Sequence, residues 1–181
     1  MKLDTTNIQK TLQQPIVLIG MMGTGKTHLG KLLANELNME FFDSDQVVEK
    51  RGGLTINEIF ELYGEERFRQ AEEKTVLELL NAKPSIIATG GGAPMNAQIL
   101  GAIKKQSISI WLNSNIETIY ERIKQTKNRP LLKTDNPKET LSALLDQRKD
   151  TYAKANIKID INANNADKAL QEIIEAISEL I

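Results

Sequence analysis

Ile16-Val17-Leu18-Ile19-Gly20-Met21-Met22-Gly23-Thr24-Gly25-Lys26-Thr27 is the stretch whose reading decides the fold. Four apolar residues in a row, closed by a glycine turn, read as a buried strand. The next eight complete the pattern G-x-x-x-x-G-K-[ST], in which glycines let successive backbone N–H groups point inward at one anion. The helix that follows adds its positive N-terminal end, so the expected guest is phosphate. Within the loop Gly23, Thr24 and Gly25 supply the cradle. Lys26 is placed to reach the outer phosphates and the Thr27 hydroxyl to ligate the magnesium that accompanies them. Leu29, Leu32, Leu33 and Leu37 recur at helical spacing behind it and predict the face that packs on a sheet.

The remainder of the chain must supply that sheet. With 181 residues, 40% of them hydrophobic and 26% charged, the sequence fits one globular domain with a substantial core. A formal net charge of −1 gives no general attraction to nucleic acid or to acidic membranes, and no apolar run approaches the roughly 18 residues of a membrane span. The absence of cysteine removes disulfides and thiolate metal sites and suits a reducing cytoplasm. Residues 1–14 lack the apolar segment of a signal peptide and read as a polar extension.

Beyond the first helix, Glu40-Phe41-Phe42-Asp43-Ser44-Asp45 reads as a short strand ending in two carboxylates. Either aspartate suits a helix cap, but a magnesium nucleotide also needs a carboxylate and an attacking hydroxyl an acceptor. Gly52-Gly53 breaks the chain, and Thr55-Ile56-Asn57-Glu58 opens a new helix as a capping box that Gly64 interrupts or turns. Arg69 and Glu72, three apart on its continuation, read from the residues alone as a surface ion pair. Ser85–Thr89 is a buried strand running into Gly90-Gly91-Gly92, where a ligand's close approach to the backbone is the expectation. Two further strands, Ser107–Leu112 and Ile157–Ile161, and helices opening near Asn96, Ser114, Lys138 and after Asn165 complete a βα alternation. Between Arg122 and Lys138 the chain is polar and interrupted by Pro130 and Pro137, which fits a lid carrying Arg129 over a phosphate.

Taken together, these motifs resemble the shikimate kinase family. The resemblance covers about residues 15–180 and rests on the phosphate loop, Phe42-Asp43-Ser44-Asp45, Phe68-Arg69 with Glu72, Gly90-Gly91-Gly92, Arg129-Pro130-Leu131-Leu132, and Arg148 with Tyr152. It implies a three-layer α/β/α nucleoside-monophosphate-kinase-like fold whose five parallel strands run in the order 2-3-1-4-5. A substrate-binding region would span about 46–76 and a lid about 123–137. It implies transfer of the γ-phosphoryl of Mg·ATP to the 3-hydroxyl of shikimate, a step towards chorismate and the aromatic amino acids. By the same resemblance Asp45, Arg69, Gly91 and Arg148 hold shikimate, Thr27 and Asp43 serve magnesium, and Lys26, Asp45 and Arg129 carry the transfer. ATP would meet the loop residues 23–27, His28, Arg122 and Arg129. His28 stands where a small hydroxyl residue is common, and the turn after the fifth strand lacks a proline often found near adenine. A cytoplasmic monomer without nucleic-acid or membrane partners is expected. A kinase of another small polyol such as gluconate, and a nucleotide-binding regulator without catalysis, are the rival readings.

Overall fold

The computed structural model describes residues 5–124, 136–161 and 165–181. Strand β1 (Ile16–Ile19) is buried at every residue and lies at the centre of a five-stranded parallel sheet of order β2-β3-β1-β4-β5. Its neighbours are β3 (Ser85–Ala88) and β4 (Ile108–Asn113), with Val17 opposite Ile87 on one side and Ser109 on the other. The edges are β2 (Glu40–Asp43) and β5 (Ile157–Asp160). Strands this apolar are stable only with both faces covered, and the intervening helices cover them.

Alternation along β1 assigns the two faces. Ile16 and Leu18 point to one core, where α2 (Lys26–Leu37) and α8 (Ala166–Leu180) contribute Leu29, Leu33, Ile173 and Ile177. Val17 and Ile19 point to the other, built from α4 (Ile56–Leu80), α5 (Ala97–Gln106), α6 (Ile116–Ile123) and α7 (Pro137–Tyr152). The polar N-terminal stretch holds a short helix, α1 (Thr6–Thr11), that seats Ile8 and, just beyond it, Leu12 in the first core. Four apolar residues in fourteen, scattered among polar ones, are too few to announce this from composition.

Local chemistry moves three boundaries from their sequence positions. Strand β2 ends at Asp43 because its side chain accepts the N–H groups of Asp45 and Gln46; α3 (Ser44–Gly52) therefore starts at once, and Ser44 and Asp45 belong to a helix rather than to the strand. Helix α6 is capped by Asn115, not Ser114, whose hydroxyl instead donates to the Ile161 carbonyl at 2.7 Å. The Thr55–Glu58 capping box forms, and α4 then runs past Gly64, where φ 81° and ψ 169° put a kink in it. A small satellite cluster of Val48, Ile59 and Phe68 packs α3 against both halves of α4. The reversal of strand order beside β1 opens a crevice at the carboxyl ends of the strands, where ligands of open α/β sheets bind.

Candidate active site

The phosphate loop emerges from β1 directly into that crevice. Gly20, Gly23 and Gly25 have φ of 137°, 78° and 91°, values that side-chain-bearing residues rarely adopt. Neighbours press on the first two as well. A Cβ on Gly20 would stand 2.5 Å from the Leu112 carbonyl oxygen and one on Gly23 2.7 Å from the Ile123 methyl group. The Thr24 hydroxyl closes the loop on the Met21 carbonyl at 2.8 Å. The Lys26 ammonium donates to the Gly20 and Met21 carbonyls, each at 2.8 Å, which holds the cation against the loop.

Asp43 caps α3 with one oxygen and meets the phosphate loop with the other. Oδ1 accepts the N–H groups of Asp45 and Gln46 at 3.1 and 3.4 Å, while Oδ2 accepts the Thr27 hydroxyl at 2.7 Å. Adjacent hydroxyl and carboxylate oxygens at a phosphate loop are a donor set that fits Mg²⁺, a hard cation that takes one or two protein oxygens and completes its shell from phosphates and water.

The opposite wall is made of side chains from distant elements. Arg69 lies along α4 with its Nη1 2.7 Å from Glu72 and its Nη2 3.1 Å from Glu65. The Glu72 side chain is only 2% exposed, so this is no surface pair. Burial pushes the Glu72 carboxyl up from the ordinary value, and Arg69, with Arg148 behind it, opposes that shift without cancelling it. For Arg69 burial works against the charge, but Glu72 and Glu65 outweigh it and hold the guanidinium above its usual range. Arg148, on α7, is also buried.

The glycine run is what lets these groups converge. None of Gly90, Gly91 and Gly92 has a positive φ; at Gly90 and Gly92 what excludes a side chain is the neighbours. A Cβ on Gly90 would meet the carboxylates of Asp45 and Glu72, both at 2.7 Å, and one on Gly92 the Arg69 Nη1 at 2.8 Å. A Cβ on Gly91 would sit 3.4 Å from the Arg148 Nη1. The run is braced from below, since the Gly90 N–H donates to the buried Ser44 hydroxyl at 3.1 Å and the Tyr152 hydroxyl donates to the Gly91 carbonyl at 2.6 Å. Ser44 and Tyr152 both stand in the motifs that carry the family resemblance, but the sequence assigns neither of them this duty.

Both walls border one cleft of ≈ 490 Å³, which brings together Lys26, Thr27, Asp43, Asp45, Arg69, Gly91 and Arg148. A second hollow of ≈ 330 Å³ on the far side of the loop takes Arg122, Thr24 and Asn165, and His28 borders both. The Arg122 Nη1 donates to the Gly23 carbonyl at 3.3 Å, tying α6 to the loop. Arg129 and most of the expected lid lie outside the described residues.

The shikimate kinase family model matches residues 22–178. A curated shikimate kinase of Bartonella henselae is 43% identical over 166 residues, covering 92% of this chain and 79% of its own. That of Thermodesulfovibrio yellowstonii is 42% identical, covering 91% and 95% respectively. Among solved structures, the shikimate kinase from Acinetobacter baumannii in complex with shikimate superposes with a TM-score of 0.92 at 37% identity, over 97% of this chain and 98% of that one. A gluconokinase from Sinorhizobium meliloti, with a TM-score of 0.63 at 14% identity, shares the fold alone.

Proposed function

The chain belongs to the shikimate kinase family, and on that premise we propose how its own residues share the transfer of the γ-phosphoryl group of ATP to the 3-hydroxyl of shikimate. The observation that carries the assignment is the convergence of Arg69, Arg148 and Asp45 on one glycine run, in the same cleft as Lys26. Two guanidinium forks suit a carboxylate, and a nearby carboxylate suits the hydroxyls of the same small acid.

Asp45, in the first turn of α3, orients the attacking hydroxyl and takes its proton. Lys26 leaves its loop carbonyls to meet the negative oxygens of the transferring group, where a preorganised cation lowers the barrier. Thr27 and Asp43 would hold Mg²⁺, which when bound neutralises phosphate charge. Arg122 and His28 flank the hollow assigned to the adenosine end of ATP. Arg129 supplies a further cation when the segment around it closes, and closure excludes the water that would otherwise take the phosphoryl group. The reading extends to a cytoplasmic monomer; among the described residues no helix is long and apolar enough to cross a membrane.

A coupled ADP-release assay tests the assignment. ADP is expected to appear with Mg·ATP and shikimate, and to stay at background with Mg·ATP alone or with gluconate in place of shikimate. Release that gluconate stimulates equally moves the substrate to another polyol, and release that no acceptor stimulates leaves a nucleotide-binding protein without this transfer.

A further inference from the structure

Among the described residues Tyr152 is the largest fully buried side chain, yet it ends in a hydroxyl behind Gly91, which lines the cleft. That hydroxyl donates to the Gly91 carbonyl at 2.6 Å and lies 3.8 Å from the Met21 sulfur in the phosphate loop. Burial raises its pKa, and the Arg148 guanidinium, one helical turn earlier on α7, faces it and pulls the other way. Its ring is held against Trp111 of β4, with centroids 6.0 Å apart. The phenol therefore has no freedom to follow its partners; they align to it.

The peptide bond makes this alignment reach further. Because the unit between Gly91 and Gly92 is planar, fixing its oxygen aims the Gly92 N–H in the opposite direction. Arg69 lies over Gly92 and Arg148 over Gly91, each too close for a Cβ or in contact with one. We propose that Tyr152 is the positioning residue of the acid grip: its hydroxyl sets the spacing between the Arg148 guanidinium and the Gly91–Gly92 peptide, so that both arginines face one carboxylate. The inference rests on the reading of Arg69, Arg148 and Gly91 as the groups that hold shikimate.

Tyr152→Phe removes the oxygen and keeps the ring; Tyr152→Met, which fills the same space adaptably, is measured alongside in case the first variant loses solubility. The half-saturating shikimate concentration is expected to rise roughly tenfold, the equivalent of one hydrogen bond to a charged network, with kcat and the half-saturating ATP concentration near the parent's. Binding of the neutral carboxamide of shikimate, followed by calorimetry, should change little, because the lost alignment serves a carboxylate. A variant that only loosens the core weakens acid and amide alike, and that outcome overturns the proposal, as does an unchanged shikimate requirement. Arg148→Lys separates the two levels. If it weakens shikimate binding while the Tyr152 variants do not, the grip stands and Tyr152 has no part in it; if it leaves shikimate binding unchanged, the grip itself falls and the proposal with it.

Discussion

Two sets of glycines meet beside the cleft, and they are glycine for different reasons. Gly20, Gly23 and Gly25 have backbone angles that a side chain resists, whereas Gly90, Gly91 and Gly92 have ordinary angles, and at Gly90 and Gly92 carboxylate and guanidinium groups occupy the space a side chain would need. The phosphate wall is thus encoded in eight consecutive residues, and the acid wall in the absence of side chains where four distant elements meet. One wall is a local conformation and the other a product of tertiary packing.

The sharpest way to break this division is to alter one wall and look for damage in the other. Asp45→Asn keeps volume and hydrogen-bonding capacity but removes the acceptor of a proton, so kcat is expected to fall ~10²–10⁴-fold while Mg·ATP still binds. A kcat within about threefold of the parent's, far short of the general-base range, returns Asp45 to a purely structural place in α3. Lys26→Ala tests the reverse direction. Phosphoryl transfer should drop at least ~10²-fold with shikimate binding retained, because the cation belongs to the phosphate wall alone. Near-parental turnover at saturating ATP removes Lys26 from the transfer.

A pair of alanine substitutions sharpens the contrast between the glycines themselves. Gly92→Ala displaces the flexible end of Arg69, so unfolding by urea should change little while the shikimate requirement rises roughly tenfold. Gly25→Ala meets no neighbour within 4 Å but carries φ of 91°, so it is expected to lose about 1–2 kcal/mol of stability from backbone strain. Equal stability losses in the two variants would erase the distinction.

The smallest expected effect concerns pH. Since Glu72 has its folded pKa raised by burial, its contribution to stability is complete below the ordinary carboxylate value and is lost as pH rises through the folded one. Arg69 limits that loss. Arg69→Met should therefore lose stability more steeply than the parent as pH rises above the ordinary carboxylate range, and parallel curves would mean that Arg69 does not neutralise Glu72.

The same division explains what could be read in advance. The phosphate loop and the βα alternation were legible because each rests on residues adjacent in sequence, and the strand order followed from the resemblance. Glu72 looked like half of a solvated i, i+3 pair, since nothing near it in sequence reveals that Gly90, eighteen residues on, leaves room for its carboxylate beside that of Asp45. For Asp43 the cap is legible in the sequence, while its bond to the Thr27 hydroxyl, sixteen residues away, is a product of the fold. Ile8 and Leu12 were hidden in a polar segment because a two-residue anchor has no periodicity to detect.

The kink at Gly64 divides α4 into two cooperative units. A helix transmits order only through an unbroken run of helical dihedrals, and here the run stops one residue after Tyr63. The first unit buries little beyond Ile59 and leaves Leu62 and Tyr63 exposed, while the second buries Phe68, Glu72, Val76 and Leu80. Opening the first therefore costs only a fraction of the global unfolding free energy. The rim beside Ile56 and Phe60 thus belongs to the first unit, and the Arg69 guanidinium, five residues past the break and paired with Glu72, to the second.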